Sequence, residues 1–339
     1  MNLLVTGGCG FIGSNFIRWL LGARSDASIT NLDALTYAGN LENLGEIEGN
    51  PGYRFVKGSI NDAALVDSLA AGAEGIVHFA AESHVDRSLY GPIDFVRTNL
   101  EGTTVLLEAA RRHKVRRFLL VSTDEVYGSL PETGVFVEST PLAPSSAYSA
   151  SKAAADLMTL AYRRTFDLDV VITRGSNNYG PFQYPEKFMP LFITNALEGK
   201  ECPVYGDGKN VRDWLHVLDH CRGVWAAFER GKAGEVYNLG GGNERENLDV
   251  AKEILAACGR PESLLKFVKD RPGHDRRYAL DASKARTDLG WTPEVPFKRG
   301  LAETVAWYRD HADWIARIKS GEYRQYYEKH YGKQGSRES

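Results

Sequence analysis

Nothing in the 339-residue sequence approaches the roughly 18 consecutive apolar residues of a membrane-spanning helix, so no membrane partner is expected. Basic residues are not in excess. The 41 lysines and arginines face 44 acidic residues, a formal charge of −3, which argues against a nucleic-acid binder. Cysteine is scarce, and Cys9, Cys202, Cys221 and Cys258 share neither a CxxC pairing nor metal-type spacing. Such thiols suit a reducing cytoplasm and support neither a disulfide framework nor a metal site. The opening Met1-Asn2-Leu3-Leu4-Val5-Thr6-Gly7 has no basic flank, long apolar stretch or small-residue cleavage site, and reads as the start of a strand. Internal repeats and low-complexity stretches are missing as well. What is present is globular: 43% hydrophobic and 25% charged residues exclude disorder as the main state. The expectation is a soluble, cytoplasmic enzyme of one large domain plus a smaller lobe.

Apolar bursts alternate with helical patterns in the first half. Leu3–Thr6, Ile29–Asp33, Tyr53–Val56, Gly75–Phe79, Phe118–Ser122 and Asp169–Thr173 read as strands, with helices over 96–112 and 149–166. Continuous Val/Ile/Leu runs indicate strands covered on both faces. The fold class is therefore α/β, a doubly wound parallel (Rossmann) sheet. After Gly175 turn-rich stretches such as Asn177-Asn178-Tyr179-Gly180-Pro181 break the rhythm, and Glu235–Leu239 reads as a further strand. The expected division is a dinucleotide-binding domain over 1–175, a smaller mixed substrate lobe over 176–331 interleaved with the sheet, and a polar tail over 332–339.

Between the first strand and first helix stands Thr6-Gly7-Gly8-Cys9-Gly10-Phe11-Ile12-Gly13. Gly7, Gly10 and Gly13 allow a tight turn and a close approach of backbone amides to a pyrophosphate on the helix N-terminus. Asp33 lies 20 residues past Gly13 and ends the second strand, where a carboxylate accepts from ribose hydroxyls and repels a 2′-phosphate. No arginine follows in Ala34-Leu35-Thr36-Tyr37, so NAD is expected over NADP. Ser59 and Ile60 are placed beside the adenine, and Ala80, Ala81 and Ser83 at the crevice beyond the fourth strand. Phe11, Ile12, Ala34, Leu35, Thr36, Phe79, Thr98 and Asn178 complete the expected cofactor contacts. Cys9, inside the turn, is expected to pack; its thiol could also be acidified by the helix end.

Tyr148-Ser149-Ala150-Ser151-Lys152 is a YxxxK pair, and on a helix positions i and i+4 share a face. An ammonium beside the phenol, helped by a positive nicotinamide ring, is expected to lower the tyrosine pKa. Thr123, at the end of the fifth strand, is placed to hydrogen-bond a hydroxyl undergoing oxidation.

These motifs resemble the extended short-chain dehydrogenase/reductase superfamily. Further stretches resemble its nucleotide-sugar branch: His78-Phe79-Ala80-Ala81-Glu82-Ser83-His84-Val85-Asp86, Asn177–Pro181 and Arg212-Asp213-Trp214. Within that branch, Ser122-Thr123-Asp124-Glu125-Val126-Tyr127-Gly128 and Asp270–Tyr278 are similar to the dTDP-glucose 4,6-dehydratase family, from Asn2 to about Tyr331. The Asp-Glu pair discriminates most, since the related 4-epimerases lack it there. The resemblance implies NAD-dependent oxidation at C4 of dTDP-glucose with Tyr148 as base beside Lys152. Loss of water across C5/C6 follows, with Glu125 as base and Asp124 as acid, and then hydride return to C6. It also implies substrate contacts at Ser83, Thr123, Asn177, Lys187, Phe188, Pro203, Val204, Tyr205, Arg212, Asn247, Arg271 and His274, and a homodimer through the helices near 94–113 and 149–166. A UDP-sugar 4-epimerase, a dehydratase of UDP- or CDP-glucose and a non-catalytic NAD-sensing module are the alternatives. The aromatic-rich end (Trp307, Tyr308, Trp314, Tyr323, Tyr326, Tyr327, Tyr331) is expected to pack onto the fold.

Overall fold

The apolar runs become strands: β1 Asn2–Thr6, β2 Ser28–Asp33, β3 Tyr53–Lys57, β4 Gly75–His78, β5 Arg117–Thr123, β6 Val170–Gly175, β7 Asn177–Tyr179, β8 Cys202–Tyr205, β9 Val211–His216, β10 Val236–Leu239, β11 Glu244–Glu246 and β12 Leu265–Val268. The structure is a computed structural model that describes residues 1–320. Tyr323, Tyr326, Tyr327, Tyr331 and the expected tail lie outside the described residues.

Seven strands form one parallel sheet in the order β3-β2-β1-β4-β5-β6-β10. The chain winds from β1 through β2 to β3 on one side, then restarts at β4 and winds outward on the other. That reversal opens a crevice at the carboxyl ends of β1 and β4, where ligands bind in such sheets. Every residue of β4, β6 and β10 is buried, because helices cover both faces. On one face Phe16 and Leu20 of the helix Phe11–Ala23, and Val224 and Phe228 of the helix Val217–Arg230, pack on Val5, Leu119 and Val171. On the other, Leu106 and Leu107 of Thr103–Arg112 and Ala155 of Ala147–Phe166 pack on Leu4, Leu120 and Ile172. Burying each large apolar side chain contributes roughly 1.5–3 kcal/mol.

Two small sheets, β11-β9-β7 and β12-β8, stand beside it. Helices Phe188–Leu197, Asn247–Ala257 and Phe297–Asp310 enclose a separate core of Phe192, Trp214, Ile254 and Leu301. Trp307, Tyr308 and Trp314 pack there; Tyr308 donates to Gln183 O and Trp314 Nε1 to Asn43 Oδ1 at 3.0 Å.

The helix expected over 96–112 is not uniformly α. Val96–Gly102 is π-helical and leads into the α-helix Thr103–Arg112. The wider turn carries Asn99, whose Oδ1 accepts from Glu82 N at 2.9 Å while Nδ2 donates to Glu82 O at 3.0 Å and Ser151 Oγ at 2.8 Å. These side-chain bonds tie the segment after β4 to the helix carrying Tyr148 and Lys152, a compensation of the kind that accompanies π turns at functional sites.

Candidate active site

The glycine turn after β1 is built to bring backbone close to a ligand. Gly7 has φ +70, and a Cβ there would lie 2.6 Å from Ala80 Cα; one at Gly13 would strike Gly7 O. The helix from Phe11 has no side-chain cap at Gly10 and no acidic residue in its first turn. Its positive end is therefore left for an anion. Asp33 ends β2, with Oδ2 accepting from Cys9 N and Oδ1 from Leu35 N, each at 2.8 Å. Burial raises its pKa against those two bonds. These features fit a dinucleotide whose pyrophosphate rests on the turn and whose ribose meets Asp33. The Cys9 thiol is pushed up to about 12, by burial first and Asp33 next, so its packing role prevails over any acidification by the helix end.

One cavity brings together Gly7, Gly10, Phe11, Ile12, Gly13, Asp33, Ala34, Thr36, Ser59, Ile60, Phe79, Ala80, Ala81, Ser83, Thr98, Thr123, Asp124, Glu125, Tyr148, Lys152, Asn177, Asn178 and Lys187. Leu35 is not among its walls. It adopts φ 53 to hand its N–H to Asp33, and its side chain packs on the core beneath the turn.

At the far end of that cavity, local sequence sets the catalytic geometry. Ser146 and Ser149 form a reciprocal capping box, each hydroxyl accepting the other's N–H at 3.0 Å. The helix therefore begins at Ala147, with Tyr148 as its second residue and Lys152 one turn on. Thr123 closes β5 and caps the short 3₁₀ turn Asp124–Tyr127, accepting from Glu125 N at 3.3 Å. Its hydroxyl also reaches Asp124 Oδ1 at 3.3 Å and lies within hydrogen-bonding reach of the Tyr148 phenol.

Burial dominates the electrostatics of the Tyr148–Lys152 pair. Lys152 Nζ donates to Val121 O at 2.8 Å, and burial pulls its pKa to about 8 against the opposing charge of Asp156. The Tyr148 phenol is pushed up rather than down, by burial first and Glu125 next, with Thr123 opposing. Desolvation beside two carboxyl groups outweighs a lysine already engaged with a backbone carbonyl. The acid pair is displaced as well. Burial, then Glu125 and Asp213, raise Asp124 well above the carboxylate range, and Oδ2 meets no partner among the described residues. Burial also raises Glu125, but Arg271, Lys187 and Arg212 draw it back. Both carboxyls are thus raised, Asp124 well above its usual range, while three cations oppose the rise at Glu125.

Those three cations come from the second region. Arg212 lies over the Tyr278 ring at 4.3 Å and donates to Asp275 O at 2.8 Å. Arg271 pairs with Asp86 at 2.7 Å, and Tyr205 Oη reaches the other Asp86 oxygen at 3.4 Å. Lys187 donates to Ser83 O at 2.5 Å. His274 sits edge-on to Tyr205 and against Asp270, its pKa drawn to about 4 by burial and then by Arg271 and Arg212. Asn247 begins its helix with Oδ1 unpartnered among the described residues. Phe188 packs tilted against Phe192, ring centroids 4.4 Å apart, and Pro203 lies in β8. Alternation in β8 turns Val204 inward, 2% exposed, which leaves its backbone as the part that a ligand can meet.

Sequence reasoning missed part of the cavity wall, Tyr37, Tyr184 and Glu186, and the Arg87 packed against it. Arg87 lies 3.8 Å over the Tyr37 ring and bonds Glu186 Oε2 through Nε at 3.2 Å and Nη2 at 3.0 Å. Tyr37 in turn meets Tyr184 edge-on at 5.5 Å. The partners are up to 147 residues apart, and no local motif marks them.

Sheet order, glycine turn and the Tyr–Lys pair together define an extended short-chain dehydrogenase/reductase. The family described as GDP-mannose 4,6 dehydratase matches residues 4–304, and the chain belongs to that family. A dTDP-glucose 4,6-dehydratase from Streptomyces niveus is 55% identical over 324 residues, spanning 94% of this chain and 96% of the relative. A dTDP-glucose 4,6-dehydratase from Streptomyces venezuelae, solved with NAD bound, superposes with a TM-score of 0.92 at 51% identity, covering 94% of this chain and all of that one. A UDP-glucose 4-epimerase from Thermotoga maritima, solved with UDP-glucose, gives a TM-score of 0.86 at 31% identity, covering 92% of this chain and all of that one.

Proposed function

We propose that the protein is an NAD-dependent dehydratase that converts dTDP-glucose to dTDP-4-keto-6-deoxyglucose. The observation that carries this is the acid pair. Asp124 and Glu125 line the same cavity as Tyr148 and Thr123, with their pKa values displaced by different neighbours. NAD⁺, held on Gly7–Gly13 and Asp33, supplies when bound the hydride acceptor at C4, the donor at C6 and a cationic ring beside the phenol. Tyr148 takes the C4 hydroxyl proton, and Thr123 holds that hydroxyl. The 4-ketone acidifies C5–H, Glu125 removes that proton, and Asp124 protonates the departing C6 hydroxyl. Arg212, Arg271 and Lys187 meet the substrate diphosphate, two of them as guanidinium forks.

Thymine and uracil differ by one methyl group, worth about 1 kcal/mol in a pocket. Turnover of dTDP-, UDP- and CDP-glucose under one set of conditions is expected to favour the dTDP sugar. Equal turnover of all three contradicts that preference, and an epimerised sugar as product contradicts the dehydration.

Exposed apolar side chains support a homodimer as part of this reading. Ile93 and Val96 on the stretch 92–102, and Leu157 and Phe166 on the helix Ala147–Phe166, are large apolar side chains left exposed. Sedimentation at micromolar concentration should give twice the chain mass; a monomer contradicts the dimer. Three thiols buried in the core, Cys9, Cys202 and Cys221, support the cytoplasm as its compartment.

A further inference from the structure

The cavity has two side walls drawn from opposite helical layers. Tyr148 and Lys152 reach it from the helix Ala147–Phe166 on one face of the sheet. His220 reaches it from the helix Val217–Arg230 on the other. The imidazole is 1% exposed, and neither Nδ1 nor Nε2 has a hydrogen-bond partner among the described residues. A buried polar ring left with both nitrogens unmet is costly, and native structures keep such groups where something else satisfies them. Room for the ring is made by Gly175 at the end of β6, another wall of the cavity: a Cβ there would lie 2.7 Å from His220 Nε2. The four residues 217–220 read simply as a helix start, with no motif to mark the histidine.

We propose that His220 is a cofactor-positioning residue, hydrogen-bonding the nicotinamide end of the bound dinucleotide from the side opposite Tyr148 and Lys152. A neutral imidazole offers one donor and one acceptor, the complement of a primary carboxamide. Being uncharged, it favours neither the cationic nor the neutral form of the ring, so the cofactor can stay in place through a cycle that visits both. Burial is the cause of that neutrality, drawing the His220 pKa to about 4.

The inference rests on the reading above that this cavity holds NAD. Its test is the affinity of the purified protein for NAD⁺ by titration calorimetry, together with the fraction of cofactor found reduced during turnover, read by near-ultraviolet absorbance. His220→Leu, close in volume but without polar atoms, should bind NAD⁺ about five- to tenfold more weakly, the loss expected for one neutral hydrogen bond. His220→Gln, whose amide can reach the Nε2 position, should recover most of that loss, and the reduced fraction should shift in the leucine variant alone. Should the leucine variant not fold, His220→Asn, too short to reach the Nε2 position, takes its place with the same expected weakening. Gly175→Ala, which displaces the ring, should mimic it. Parent-like affinity and reduced fraction in a folded leucine or asparagine variant overturn the role of His220. Failure of the parent protein itself to bind NAD⁺ overturns instead the reading of the cavity.

Discussion

Tyr148→Phe should lower oxidation of the sugar by roughly 10²- to 10⁴-fold, the range expected when a positioned general base is removed. The substitution deletes one oxygen from a side chain that is 8% exposed, so the fold should survive it. The phenol sits within reach of Thr123 at the end of β5, and Lys152, engaged with Val121 O, lies one helical turn away. Glu125 and Asp124 line the same cavity, but the capping box places the phenol, not the carboxyls, on the wall that Lys152 shares. With burial holding the free phenol high, the charge that makes it a base must come with the ligands, and phenylalanine has nothing to ionise. Mixing the variant with dTDP-glucose and following reduced nicotinamide in a single turnover checks this. Appearance of reduced cofactor at the parent rate contradicts the assignment.

Glu125→Gln should separate the two halves of the reaction. Oxidation at C4 does not use this carboxylate, so reduced cofactor should still form. Abstraction at C5 does use it, and the amide cannot accept that proton, so release of 4-keto-6-deoxy product should fall by about 10²- to 10⁴-fold. Reduced nicotinamide should therefore accumulate in the variant and not in the parent. Asp124→Asn should slow the same step by withholding the acid. The expected pH dependence of elimination follows from the two environments. Glu125 must be ionised, so the rate falls as pH drops through its pKa. Asp124, raised well above the ordinary range, must stay protonated, so the rate falls as pH rises through its own. Unchanged turnover in Glu125→Gln removes the base from the scheme.

The parts of the site that sequence displays are those made by neighbours in the chain. The glycine turn, the Asp33 that ends β2, the acid pair following Thr123 and the Tyr148–Lys152 spacing are each local, and each lands on one cavity. The parallel sheet is legible for the same reason, since uninterrupted apolar runs mark strands covered on both faces. What sequence hides is assembled across distance. Arg87 over Tyr37, its bonds to Glu186, and Asp86 with Arg271 join segments up to 185 residues apart. The inward turn of Val204 depends on which face of a four-residue strand meets the second core. The upward shift of the Tyr148 phenol depends on how much water the fold removes, which no spacing of tyrosine and lysine reveals.

The most direct measurement uses dTDP-glucose carrying deuterium at C4. If Tyr148 and the bound cofactor oxidise C4, and Asp124 and Glu125 then expel water, the label should leave C4 and be recovered at C6 of the product, with a solvent hydrogen at C5. Label still at C4, or lost to water, contradicts that sequence of steps.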